Sequence, residues 1–257
     1  MAGNNRKVVI LQDRDVHLLR ELAVMRVVDR EQAKLVSGFG STTRVNTRLL
    51  ALTQAGYLRR FFWGELIGAR KGLYSLSAKG AQFVGVPERG PRRKPDQVLA
   101  ADYFSLHQLQ INNVYCTLKY RPSPQDVTFV RWVSFYEPIA GTKFIPDGYA
   151  EVEIRSKRIA LFFEIDLGTE HQPKWQEKVR QYLGYAASGT FLRQFGCEQF
   201  RTLVIANSES RLAKLCAATA PLTEKIFRFT TAERIALETF WGTIWQKPAG
   251  PARQTLI

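Results

Sequence analysis

The stretch Gly85-Val-Pro-Glu-Arg-Gly-Pro-Arg-Arg-Lys-Pro95 cannot continue a helix or a strand. Its three prolines fix φ and remove amide donors, its two glycines loosen the backbone, and no apolar period runs through it. It therefore cuts the 257-residue chain into two pieces, each long enough to bury a core of its own. The expected layout is a domain over 1–84, a basic Pro/Gly linker over 85–99, a second domain over 100–247 and a tail over 248–257.

Charge is not shared evenly between the pieces. Residues 1–85 carry 14 Lys/Arg against 6 Asp/Glu, whereas residues 101–257 carry 19 against 15. A basic N-terminal third suits a polyanion, because each cation set against a phosphate releases condensed counterions. No apolar run approaches the ~18 residues of a membrane span, and Val8–Leu11 is too short for a signal-peptide core. A cytoplasmic protein with no membrane partner is expected. The three cysteines (Cys116, Cys197, Cys216) lack any CxxC spacing, which argues for buried thiols rather than disulfides or zinc.

The basic third has a recognisable order of elements. Asp13 stands at an N-cap position before Val16, Leu19, Leu22 and Met25, which predicts a helix over 14–25. Asp29-Arg-Glu-Gln32 resembles a capping box and opens a short second helix. Ser41 caps a third helix with an apolar stripe of Val45, Leu49 and Leu52, stopped at Gly56. The other face of that helix gathers Thr42, Thr43, Arg44, Asn46, Thr47 and Arg48 in its first two turns. There Arg can grip guanine, Asn can grip adenine and threonines can meet phosphate oxygens. Tyr57–Trp63 and Gly72–Ser77 read as a hairpin whose connecting loop carries Arg70 and Lys71, cations placed to cover a neighbouring phosphate strand. Three helices, a turn and a basic hairpin make a winged helix-turn-helix that binds double-stranded DNA; a small adaptor domain with a solvated basic face is the alternative.

The second piece begins with a helical stripe of Tyr103, His107, Ile111, Val114 and Leu118, in which His107 is expected as a hydrogen-bonded core residue. Thr128–Phe135 reads as a strand. Ile145–Ile154 and Ile159–Asp166, joined by Arg155-Ser-Lys-Arg158, read as a hairpin. Alternation sends Leu161, Phe163 and Ile165 to one side and Phe162, Glu164 and Asp166 to the other. With Asp147 at the start of the first strand, three carboxylates (Asp147, Glu164, Asp166) form a candidate site for Mg²⁺. A helix over 174–187, a strand over 200–206, a helix over 208–218, a strand over 225–229 and a helix over 231–241 follow.

Pro146-Asp147 and Glu164 resemble the PD-(D/E)XK nuclease superfamily, in which such acids and a lysine assemble a divalent-metal site for phosphodiester cleavage. Asp166 stands where that lysine is expected, and Lys174 or Lys178 on the following helix is the substitute within reach. On this resemblance Asp147, Glu164 and Lys178 are the candidate catalytic residues. Gln181-Tyr-Leu-Gly-Tyr185 is similar to a QxxxY signature of its exonuclease branch. A closer likeness is to the replication-relaxation family of plasmids and mobile elements, carried by Leu106-His-Gln-Leu-Gln-Ile-Asn112, Pro146-Asp147 and Phe163-Glu-Ile-Asp-Leu-Gly-Thr-Glu170. That likeness implies an α+β chain, an N-terminal winged helix-turn-helix followed by a mixed α/β PD-(D/E)XK nuclease-like domain. The function it implies is that of a DNA-binding accessory factor in replication or mobilisation, with replication or mobilisation proteins or a second copy of the chain as partners. A Mg²⁺-dependent DNA endonuclease and a winged-helix transcription regulator are the alternatives.

Overall fold

The computed structural model describes residues 9–63, 71–90, 98–237 and 239–256. They form two compact units, residues 1–120 and 121–257. Among the described residues no helix is long and apolar enough to cross a membrane, and all three cysteines are buried and unpaired by disulfides.

The first unit starts with α1 (Asp13–Met25), β1 (Val28–Asp29), α2 (Arg30–Val36) and α3 (Thr42–Gln54). Local chemistry sets these boundaries. Helix α1 starts one residue earlier than a cap at Asp13 would give, because Gln12 takes the cap position and its amide donates to Asp15 at 2.7 Å. The Asp29 carboxylate accepts from the Gln32 amide at 2.8 Å and the Ser41 hydroxyl from the Arg44 amide at 3.4 Å, each occupying a donor that the helix leaves unpaired. β2 (Leu58–Trp63) and β3 (Lys71–Leu76) pair antiparallel from Leu58↔Leu76 to Trp63↔Lys71, and β1 joins the free side of β3. Leu18, Leu19, Leu22, Val45, Leu49, Leu52 and Leu73 fill the centre with almost no exposure. The short α4 (Ala78–Val84) packs so closely that a Cβ on Gly80 would fall 2.1 Å from the Tyr57 carbonyl oxygen.

Two boundaries differ from the sequence reading. Gly85–Gly90 is not a free tether: Glu88 pairs with Arg59 at 2.9 Å, and a Cβ on Gly90 would meet the Ser75 hydroxyl at 2.7 Å. The remaining linker, 91–97, lies outside the described residues. The helix expected to open the second domain is α5 (Val98–Tyr120), and it belongs to the first unit. Its buried polar residues explain why. Asn112 donates to the carbonyls of Val27 at 2.6 Å and Met25 at 3.1 Å, where the chain leaves α1 for β1. The Leu109 carbonyl accepts from Gln32 at 2.9 Å, and Glu21 takes the Tyr115 hydroxyl at 2.5 Å and Lys119 at 2.7 Å. The apolar stripe is displaced at its start, since Tyr103 is exposed and His107 is only half-buried, stacked on Tyr103.

The second unit is built on one seven-stranded sheet. β4 (Val127–Val133), β5 (Gly148–Ile154) and β6 (Lys157–Asp166) form an antiparallel meander. A Cβ on Gly148 would lie 2.3 Å from the Trp132 ring, so only glycine lets β4 and β5 close there. Arg155 and Ser156 both adopt positive φ (48° and 63°), giving the two-residue turn whose twist matches a hairpin. From β6 the chain passes through α6 (Gln172–Ala187) and α7 (Thr190–Phe195) to β7 (Phe200–Ala206), and through α8 (Glu209–Thr219) to β8 (Phe227–Thr231). Both returns are parallel. The order β10-β9-β8-β7-β6-β5-β4 is completed by β9 (Trp245–Gln246) and β10 (Arg253–Gln254). The expected tail thus becomes the sheet edge, with Leu256 buried. The helix expected over 231–241 is the shorter α9 (Ala232–Leu237), after which Phe240, Trp241 and Trp245 turn inward. On one face of the sheet Tyr149, Phe162, Val204, Phe227 and Phe229 meet Trp175, Val179 and Tyr182 of α6 and Leu212 and Leu215 of α8.

Asn112→Ala removes the side-chain donor from both carbonyls, the Met25 carbonyl keeping the Val27 amide at 2.7 Å, and is expected to cost about 2 kcal/mol. Urea denaturation of the full chain measures it, and a loss below about 0.5 kcal/mol would contradict the role given to α5.

Candidate functional site

Two places gather the polar side chains singled out by the sequence, one in each unit. In the first unit, α3 turns Thr43, Arg44, Asn46, Thr47 and Leu50 outward, while Val45, Leu49 and Leu52 anchor it. The side chains of Arg44 and Asn46 make no hydrogen bond or ion pair among the described residues. Thr42 is half-buried at the start of the helix, and the Thr47 hydroxyl donates to the Thr43 carbonyl at 3.0 Å.

Arg48 is placed differently from its neighbours. Its guanidinium grips the carboxylate of Asp15, with Nε to Oδ1 at 2.7 Å, and donates to the Ile10 carbonyl at 2.7 Å. Asp15 is only 1% exposed, so Arg48 neutralises a buried charge and ties α3 to α1 instead of pointing outward. Lys71 is half-exposed and pairs at 2.5 Å with Asp29, whose other oxygen caps α2. Arg70 lies outside the described residues. Between α3 and the hairpin runs an open groove of about 660 Å³, walled by Asn46 and Leu50 on one side and by Arg60, Lys71 and Tyr74 on the other. Arg60 is exposed and lies over the rings of Phe62 and Tyr74, 4.7 and 5.8 Å from their centroids.

In the second unit the acids lie at the end of β6 and the start of β5. The pairing Gly148↔Phe163 sets Asp147 opposite Glu164, and the Asp147 Oδ2 accepts from the Ile165 amide at 2.6 Å. Glu164 is 2% exposed, and both its oxygens are engaged: Oε1 by the Tyr182 hydroxyl at 2.7 Å and Oε2 by the Lys178 ammonium at 2.8 Å. Lys178, in the second turn of α6, also stands 3.3 Å from Glu170. Burial pushes the Glu164 carboxyl up to about 7, with the Asp147 charge adding to the rise and Lys178 opposing it. Lys178 itself is held above the ordinary lysine range, because Glu164 and Glu170 outweigh the cost of its burial.

Asp166 shares the Glu164 face of β6 but turns to another partner. Arg211 of α8 grips it with two bonds of 2.7 and 2.8 Å, and the Gly168 amide adds a third at 2.8 Å. The three carboxylates expected to share a metal are therefore not brought together, and among the described residues no group of three His, Cys, Asp or Glu side chains is placed to hold one. Magnesium needs carboxylate oxygens open to it at about 2.1 Å. Here the oxygens of Glu164 and Asp166 are already bound by cations and hydroxyl or amide donors, so the residues present do not fit a Mg²⁺ site.

A family model for replication-relaxation proteins matches residues 19–198. The chain belongs to the replication-relaxation family. That membership suggests a role in plasmid replication or mobilisation. Neither a curated protein nor a solved structure matches the chain. The region shared with the replication-relaxation family runs from α1 through α7, so it holds both the α3 face and the Glu164–Lys178 pair.

Several partners of these sites were missed by sequence reasoning. Tyr182 rather than Tyr185 reaches Glu164; Tyr185 donates instead to Gln194 at 2.5 Å. The signal was present in the four-residue step from Lys178 to Tyr182, which puts both on one helix face. Asp15 and Arg211 left no such trace, because each meets its partner through tertiary packing.

Two expectations follow. Arg48→Ala should cost about 3–5 kcal/mol by stranding the buried Asp15 charge, whereas the exposed Arg44→Ala should stay within about 0.5 kcal/mol, both read by chemical denaturation. Equal effects would refute the division between them. For Glu164, a folded-state value near 7 against an ordinary value of 4.5 means that the native chain binds the proton more tightly. Stability is then lost as pH rises from about 4.5 to 7 and is level above it. Relative to Glu164→Gln, the wild type should lose stability across that window. A gap between the two that does not change with pH would show that Glu164 is charged throughout.

Proposed function

We propose that this chain is a double-stranded DNA-binding accessory factor in the replication or mobilisation of a plasmid or other mobile element, acting in the cytoplasm. Its first unit is the DNA-binding module, a winged helix-turn-helix with α3 as recognition helix and the β2–β3 hairpin as wing. The observation that carries this reading is the outward stripe of Thr43, Arg44, Asn46 and Thr47, polar side chains held on a well-anchored helix with Arg44 and Asn46 uncommitted. Recognition helices meet base edges and phosphates with the residues of these first turns. Arg60 extends the cationic surface along the hairpin, beside Lys71, which is paired with Asp29.

The second unit is a nuclease-shaped body that does not cleave. A β-hairpin followed by alternating helices and parallel strands supports the PD-(D/E)XK-like reading of its fold. The engagement of Glu164 by Lys178 and Tyr182, and of Asp166 by Arg211, supports the loss of metal chemistry. In this reading Lys178 neutralises Glu164 rather than activating a water.

Fluorescence anisotropy of the full chain with a short labelled duplex, repeated over a range of salt, tests the proposal. Wild type should bind with affinity falling steeply as salt rises, and Arg44→Ala should bind more weakly with a slope shallower by about one. Unchanged affinity and slope would remove α3 from the interface. With supercoiled plasmid and Mg²⁺ the wild type should leave the DNA intact; nicking that disappears in Glu164→Gln would overturn the non-cleaving assignment.

A further inference from the structure

Leu50 is an apolar side chain on the outward stripe of α3 that lines the groove, and it is 46% exposed. Isolated surface leucines are ordinary. This one is distinguished by its company. It stands one helical turn beyond Asn46, about 6 Å along the axis and on the same stripe, and both side chains wall the same groove. Arg60 and Lys71 border that groove on the hairpin side and Arg30 on α2; Asp29 and Glu31 also line it and pair with Lys71 and Arg30, so among the described residues Arg60 is the lining cation that no acid neutralises. An occupant that complements it presents an apolar spot to Leu50, an amide-matching donor and acceptor pair to Asn46 and negative charge to Arg60.

We infer that Asn46 and Leu50 are specificity-determining residues that read neighbouring A·T base pairs in the major groove, Asn46 by paired hydrogen bonds to adenine and Leu50 by contact with the thymine methyl. The inference rests on the duplex-binding reading above. The thymine C5-methyl is the apolar group that the major groove displays, adenine offers N6 as donor and N7 as acceptor, and phosphates flank both. An apolar protein partner would match Leu50 but would leave Asn46 and Arg60 without counterparts. A single-stranded ligand would find few open aromatic faces, because Tyr74 is 5% exposed and Arg60 already covers Phe62.

The experiment compares three duplexes of equal length with the full chain: alternating dA-dT, the same sequence with deoxyuridine replacing every thymidine, and alternating dG-dC. Deoxyuridine removes only the methyl group. Wild type should bind dA-dT most tightly and weaken about fourfold on deoxyuridine substitution for each methyl group that Leu50 covers. Leu50→Ala, at an exposed position that the core does not need, should bind the thymidine and deoxyuridine duplexes alike. Asn46→Ala should lose the preference for dA-dT over dG-dC. Equal wild-type affinity for the thymidine and deoxyuridine duplexes, or undiminished sensitivity in Leu50→Ala, overturns the inference while duplex binding stands. Absence of binding to all three duplexes overturns the function proposed above and this inference with it.

Discussion

Buried carboxylates must be neutralised, and in this chain the neutralising groups come from other elements. A carboxylate withdrawn from water without a partner costs several kcal/mol, so the backbone must bring a cation or a set of donors to it. Asp15 of α1 is met by Arg48 of α3, Glu21 of α1 by Lys119 and Tyr115 of α5, Glu151 of β5 by Arg131 of β4, Glu164 of β6 by Lys178 of α6, and Asp166 of β6 by Arg211 of α8. Each pair fixes how one element lies on another. Apolar packing supplies the larger share of the stabilisation, but it tolerates sliding; a bidentate Arg–carboxylate contact does not.

The same constraint reassigns residues that the sequence offers for function. Arg48, Asp166 and Lys178 all look available when only their neighbours in the chain are considered, and all three are committed in the fold. The basic excess of the first unit is consequently less free than its composition suggests. Among the exposed cations that remain for a polyanion, Arg44 lies on the first turns of α3 and Arg60 on the hairpin.

What was legible in the sequence was local. Caps at Asp29 and Ser41 and the alternation that separates Phe162 and Glu164 from Phe163 act within a few residues, and the structure has each in place; the turn expected over 155–158 tightens to Arg155–Ser156. The assignment of α5 was not local. Its Gln108, Asn112 and Tyr115 fall outside the apolar stripe, yet they are buried contacts of the helix, because the chain between α1 and β1 presents carbonyls to the Asn112 amide and Glu21 presents its carboxylate to Tyr115. The strands β9 and β10 were illegible for a different reason: two residues each carry no period. The acidic site fell between these cases. Pro146-Asp147 and Glu164 marked its place, but the geometry depended on Lys178 and Tyr182, whose step along α6 was visible, and on Arg211, whose partner lies 45 residues away.

The Glu164–Lys178–Tyr182 cluster also bears on how a second unit of the proposed nuclease outline can stand without an ion. A metal bound by carboxylates stabilises the fold only while it is bound, and its loss leaves repelling charges at the end of the sheet. A lysine supplied by α6 and a hydroxyl one turn further on meet the same charge from within the chain. The sheet end then needs no ion to stay assembled, and the site is relieved of any demand to keep carboxylate oxygens open to solvent. Retaining Asp147 beside Glu164 under these conditions has a structural use of its own, since Asp147 bonds the Ile165 amide and so locks the start of β5 against the end of β6. An acid at a position that resembles a catalytic one can thus be held by its contribution to packing, and the presence of the motif residues in this chain is compatible with a body that accompanies a DNA-binding unit without cutting DNA.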